Sequence, residues 1–234
     1  RQRNAPRRPR AGFSFEWARA TVSKRIAIFA QHRDNPMNHT PQELLFATHN
    51  KGKAAEIARM AGPAYRLLTL DEAGVTTDIP ETAGTLEGNA LIKARFLHLL
   101  TGKACFADDT GLEVEALDGE PGVRTARYAG EECDPQKNMD KLLLALQGAQ
   151  TRRARFRTVI ALIGQDGTET TFEGVCEGSI ATERHGDGGF GYDPVFAPDE
   201  FGGLTFAQMS LDDKNKISHR GKAVRQLVDF ITRR

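Results

Sequence analysis

Residues 104–130 read ACFADDTGLEVEALDGEPGVRTARYAG: an apolar run, two adjacent carboxylates at Asp108 and Asp109, then a glycine-rich loop that bears arginines. Carboxylates of this kind hold a hard cation, and a glycine- and arginine-bearing loop beside them suits phosphate. Neighbouring strand residues point to opposite faces, so one carboxylate aims into a cleft while the other faces a partner across the strand or on the next helix. Two equivalent catalytic acids are therefore not expected. Taken alone, the segment reads equally well as a strand ending in a polar turn.

Three further segments supply complementary groups. Thr48-His49-Asn50-Lys51-Gly52-Lys53 lies between a strand-like and a helical run. A helix start offers free N–H groups and partial positive charge to an anion, although the hexamer lacks the spacing of a Walker loop. Asp78-Ile79-Pro80-Glu81-Thr82 precedes a long helix, so Glu81 and Asp109 could share one Mg²⁺ with substrate oxygens, and Lys93 on that helix could reach the same phosphates. Lys214 to Lys222 again places cations at a helix start. With Phe190 as a stacking platform and His219 and Arg220 as edge donors, it could clamp a planar base. Each segment alone also fits capping, a solvated loop or a surface helix.

The elements that must position these groups alternate strand and helix from residue 43, which predicts an α/β domain. Residues 43–48 and 65–70 read as strands, Lys51 to Ala61 as a helix, and Thr85 to Leu100 as a longer helix closed at Gly102. Strands are expected at 104–107 and 112–117 around the aspartate pair, and a helix from Asp134 to Leu146. Residues 153–164 and 169–182, joined by Gln165-Asp166-Gly167-Thr168, predict a long antiparallel hairpin. The last helix is expected from Ser218 to Ile231. Long paired strands after parallel βα units give a mixed, elongated central sheet flanked by helices.

The 234 residues suffice for one medium domain, placed at 41–234, with a basic extension at 1–40. That extension holds nine Lys or Arg against two acids, which leaves the body mildly acidic under a net charge of +1. It is too interrupted for a secretory core or a membrane span; an arm upstream of a start at Met37, a transit peptide and a nucleic-acid arm are its readings. Cys105, Cys133 and Cys176 are scattered without a CxxC pair, which argues against structural zinc and suits a reducing, cytoplasmic setting.

In the order THNKGK, ADDTGLEVEAL with GEPGVRTARYAG, GGFGYDPVF and KNKISHRGKA, these motifs closely resemble the inosine triphosphate pyrophosphatase family, from about Leu44 to Ile231. The resemblance implies an active-site cleft between two lobes and Mg²⁺-dependent hydrolysis, with Mn²⁺ as a possible substitute. The reaction would split ITP, dITP or XTP between the α and β phosphates into monophosphate and pyrophosphate. By position, Thr48, His49, Asn50, Lys51, Gly52, Lys53 and Lys93 would serve the phosphates, with Lys53 and Asp109 as the catalytic pair. Glu81 and Asp109 would bind metal, with Asp108 in support and Thr110 touching substrate. Phe190, Gly191, Tyr192 and Asp193 match the base and sugar side, and Lys214, His219 and Arg220 the base-edge readers. Donors aimed at the 6-position accept a carbonyl and reject adenine's amino group, which can discriminate on the order of 10⁴-fold. The resemblance also suggests a homodimer acting on a small nucleotide, with neither nucleic acid nor membrane as partner.

Three positions depart from the common pattern: His49 where glycine is frequent, Gly88 where an acid is frequent, and Arg124-Thr125 in place of Tyr-Ser. Other functions compatible with the cleft are γ-phosphate hydrolysis and nucleotide sensing without turnover. A salt-dependent nucleic-acid arm is a third.

Overall fold

The computed structural model describes residues 41–77 and 79–233. The basic extension, Met37 and Asp78 lie outside the described residues. Among the described residues, five α-helices and seven strands follow in order: β1 Gln42–Phe46, α1 Lys51–Ala61, β2 Tyr65–Leu68, α2 Leu86–Thr101, β3 Cys105–Val114 and β4 Pro121–Gly122. Then come α3 Pro135–Ala145, β5 Arg153–Ile163, β6 Glu169–Ile180, β7 Phe196–Pro198, α4 Leu211–Ile217 and α5 His219–Thr232. The sheet order is β2-β1-β3-β5-β6-β7, with β4 beside β3. Pairings around β1 are parallel and the rest antiparallel, so the sheet is mixed as expected.

Helix ends follow from their caps. Asn50, Thr85, Asp134 and Ser218 each accept a first-turn N–H, and Gly102 closes α2 in the left-handed region at φ 66°. The hairpin turn at Asp166-Gly167 is also as expected, with Gly167 at φ 81° and Thr168 N–H donating to Asp166 Oδ1.

Helix α2 lays Ala90, Ala94 and Leu97 on one face of the sheet, against Cys105, Ala107, Val159, Ala161 and Ile163. Helices α1 and α5 cover the other face, where Ile57, Ala223, Val224 and Leu227 meet Phe46, Phe106, Ile160 and Phe172. A separate cluster under α3 joins Leu112, Met139, Leu142, Phe156, Phe196 and Phe206. There the opposite face of the hairpin is exposed and carries a ladder of ion pairs, Arg153 with Asp199, Arg155 and Arg157 with Glu113, and Arg157 with Glu173.

Three sequence expectations are corrected. The aspartates do not sit at a turn between two strands; β3 runs through them, with Asp108 opposite Ile160 and Asp109 opposite Val159 in an unbroken ladder to β5. Gly111 lies within this strand and allows a close approach: a Cβ would come 2.9 Å from the Gly122 carbonyl oxygen of β4. Beyond Val114 the chain turns into a short 3₁₀ segment, Glu115–Leu117, instead of continuing as strand. Near the C-terminus Lys214 lies in α4 and not at the start of the last helix, which begins only at His219.

Candidate active site

The aspartate pair divides its work between the faces of β3. On one face Asp108 Oδ1 accepts from Lys53 Nζ at 3.1 Å, and Oδ2 from Arg220 Nε at 3.4 Å. Arg220, fully buried, is also clamped by Glu56 Oε2 at 2.5 Å. Burial alone would push Asp108 up, but Lys53, Arg220 and Lys93 overcome it and hold the carboxyl well below the usual aspartate range. Desolvation lowers Lys53, with Lys93 and Arg220 adding to the shift against the pull of Asp108.

On the other face Asp109 Oδ1 accepts from Lys93 Nζ at 2.8 Å, and Oδ2 from Asn89 Nδ2 at 3.3 Å. The same ammonium reaches Glu81 Oε1 at 2.7 Å, and Arg127 lies 3.2 Å from Glu81 Oε2. Burial raises Asp109, and the nearby Glu81 charge adds to it despite Lys93. Glu81 shows the opposite outcome: burial pushes up, but Lys93, Arg127 and Lys53 bring it below the ordinary glutamate value. Lys93 is raised, because Asp109 and Glu81 outweigh its desolvation.

A cavity of about 340 Å³ opens beside these carboxylates. Asn50, Lys53, Glu81, Asp109 and Thr110 line its polar end; Phe156, Phe190, Lys214, His219 and Arg220 line the other. Phe190 stands between two left-handed glycines, Gly189 and Gly191, and its ring lies over Lys214 Nζ at 4.8 Å and Arg220 at 5.5 Å. Asp193 ties the loop down, accepting from Phe190 N–H and from Lys214 Nζ, both at 2.8 Å. His219 stacks on Phe156 at 4.5 Å and leaves Nδ1 without a partner. Burial, then Arg220 and Lys214, drive its pKa well below the usual histidine value, so the ring is neutral at physiological pH.

Not every sequence candidate faces the cavity. His49 turns to Asp71, with Nδ1 at 2.7 Å from Oδ1, and it and Lys51 line a separate surface groove. Thr48 Oγ1 accepts from the Asn50 N–H and shapes the turn before α1. Gly52 stands in the first turn of α1, where a Cβ would come 3.2 Å from the capping oxygen of Asn50 and into ordinary contact with the Phe190 ring. Tyr192 contributes its ring, while its hydroxyl is buried and donates to the Thr125 carbonyl.

Sequence reasoning passed over Glu56, Asn89, Arg127 and Phe156. Two of these left a trace: Asn89 shares the buried stripe of α2 with Leu86, Ala90, Lys93 and Leu97, where an amide is a poor helix former. Glu56 is an acid next to Ile57, the most apolar position of α1.

Residues 44–230 match the model of the Ham1 family. A Porphyromonas gingivalis protein named dITP/XTP pyrophosphatase is 55% identical over 191 residues, covering 81% of this chain and 97% of that relative. A Flavobacterium johnsoniae protein of the same name is 50% identical over 190 residues, covering 81% and 98%. Among solved structures, a HAM1 protein from Coxiella burnetii matches with a TM-score of 0.75 at 38% identity, covering 82% of this chain and 100% of that one. With these relatives aligned over nearly their full length, the chain belongs to the Ham1 family.

Proposed function

We propose that residues 41–234 form a nucleoside triphosphate pyrophosphatase that hydrolyses ITP, dITP and XTP to the monophosphate and pyrophosphate, and so keeps these nucleotides out of DNA and RNA. One observation carries the reading: a single cavity is lined by Lys53, Glu81 and Asp109, whose two carboxylates share the Lys93 ammonium, and by Phe190, whose ring lies over Lys214 and Arg220. The names of its relatives point the same way.

The donor set suits Mg²⁺. Glu81 and Asp109 present hard oxygens to one ammonium, and each oxygen keeps a lone pair for a further contact. Among the described residues no three His, Cys, Asp or Glu side chains form a cage, so the remaining positions would fall to water and phosphate oxygens, as Mg²⁺ prefers. Bound there, Mg²⁺ or Mn²⁺ would neutralise phosphate charge and make water more acidic.

The chain's own groups do the rest. Lys53 and Lys93 bind and neutralise the phosphates, with Asn50 at the start of α1. Asp109, more basic than an ordinary aspartate, takes the proton of the water that attacks the α-phosphorus. The bond to the α–β bridging oxygen breaks and its electrons leave with pyrophosphate. Asp108 stays ionised and holds Lys53 and Arg220 in place. Phe190 covers the base, and Arg220, Lys214 and His219 present its edge with donors that a 6-carbonyl satisfies.

The substrate is a free nucleotide, and we place the enzyme in the cytoplasm as a homodimer, without nucleic acid or membrane as partner. No helix among the described residues is long and apolar enough to cross a membrane. The test is a product assay with Mg²⁺ on ITP, dITP, XTP, ATP and GTP in parallel. Monophosphate plus pyrophosphate from the first three, with little from ATP or GTP, is expected; diphosphate plus phosphate, or turnover persisting in excess EDTA, would overturn the reading.

A further inference from the structure

Two side chains one turn apart on α2 join the same two pieces of the molecule. Lys93 bridges Asp109 Oδ1 to Glu81. Asn89, fully buried, bridges Asp109 Oδ2 to the backbone two residues past Glu81: its Nδ2 donates to Asp109 at 3.3 Å and its Oδ1 accepts from Ala83 N–H at 2.9 Å. The Ala83 N–H can only donate, so Oδ1 must face it and Nδ2 must face the carboxylate. The segment is pressed close to the helix here, since a Cβ on Gly88 would come within 2.6 Å of Ala83 Cβ.

The two struts differ in one respect. Lys93 is charged, and a triphosphate entering the cavity competes with both carboxylates for its ammonium. Asn89 is neutral and has no net attraction to phosphate, so such competition would leave its bonds in place. A buried amide costs free energy unless both ends are bonded, and its neighbours on the stripe, Leu86, Ala90 and Leu97, are apolar. The packing of α2 thus has no need of an amide at this position, whereas the carboxylate pair does.

We propose that Asn89 is a positioning residue that keeps Asp109 and the Glu81 segment in register, as a preformed cation site, while Lys93 serves the phosphates. This rests on the reaction proposed above. Partners that orient ligand groups typically contribute 10–100-fold in metal affinity or activity.

The experiment uses the full chain, wild type and two variants. Asn89→Leu keeps the approximate shape and removes both bonds; Asn89→Asp keeps the acceptor for Ala83 and turns the donor facing Asp109 into a carboxylate oxygen. Mn²⁺ binding without nucleotide is read by electron paramagnetic resonance, alongside kcat and KM for dITP and the thermal midpoint. In Asn89→Leu we expect Mn²⁺ affinity and kcat each to fall by about 10–100-fold with KM for dITP changed by no more than about three-fold. In Asn89→Asp a second carboxylate faces Asp109 across this contact, and kcat falls at least about 10-fold.

Mn²⁺ affinity and kcat within about two-fold of wild type in Asn89→Leu would overturn the proposal. If that variant does not fold, a wild-type kcat in Asn89→Asp overturns it alone. Wild-type protein that binds Mn²⁺ but releases no pyrophosphate would overturn the reaction, and weaker Mn²⁺ binding in Asn89→Leu would still support the positioning role.

Discussion

Asp108 and Asp109 are neighbours on one strand, yet they lie in opposite electrostatic settings. The Asp108 face is cationic, with Lys53 and Arg220 holding the carboxyl far below its ordinary value. The Asp109 face adds a second carboxylate, Glu81, and one ammonium shared between the two, and there burial leaves the carboxyl raised. Environments that push two acids apart assign them different tasks. On the function proposed above, the Asp108 face arranges and reads and the Asp109 face reacts. A β-strand suits this division, because its alternation gives each carboxylate its own layer of helices, α1 and α5 for one and α2 for the other.

The largest expected effect comes from removing the reacting carboxylate. Asp109→Asn should lower kcat by about 10³-fold, within the usual range for a general base. Its stability should hold: a raised folded pKa means that the fold disfavours the ionised form, so stability from this group is lost as pH rises through that value, and the amide removes the penalty. Near-normal turnover in this variant would erase the distinction between the faces.

Asp108→Asn should do the reverse and cost stability, about 3 kcal/mol in urea unfolding, because it strands Lys53 and weakens the seat of Arg220. The sign with pH follows from a depressed folded pKa. The stabilisation is fully present above the unfolded value of about 3.9 and is lost as pH falls below it. The gap between wild type and Asp108→Asn should therefore narrow as pH falls from about 5 towards 2.5. A gap that stays constant across that range would remove Asp108 as the counter-ion of the cluster.

Much of this was legible before any coordinates. Capping residues and the Asp-Gly turn fixed the helix starts and the hairpin, because those signals act within a few residues. The alternation rule put Asp108 and Asp109 on opposite faces. What stayed hidden depends on pairing across long sequence separation. Glu56 and Arg220 are 164 residues apart, and the place of that acid beside Ile57 does not name the arginine it meets. The break expected between residues 107 and 112 does not exist; glycine serves turns and close approach alike, and only the pairing of β4 with β3 decides between them. Lys93 is a phosphate candidate from sequence, but that its ammonium joins Asp109 to Glu81 shows only once the three are brought together.

The smallest effect tests the reading side. Phe190 touches neither aspartate; its ring lies over Lys214 and Arg220, the cations that belong to the Asp108 face. Stacking of a base on an aromatic ring is worth about 1–3 kcal/mol, so Phe190→Ala should raise KM for ITP roughly ten-fold. The split between constants is the sharper readout. If the ring acts only on the base, kcat should stay within about two-fold of wild type, because the water, the lysines and Asp109 are untouched. A fall in kcat with KM unchanged would place Phe190 among the reacting groups and blur the division that β3 imposes. A raised KM alone would extend that division from two carboxylates to the two ends of the cavity.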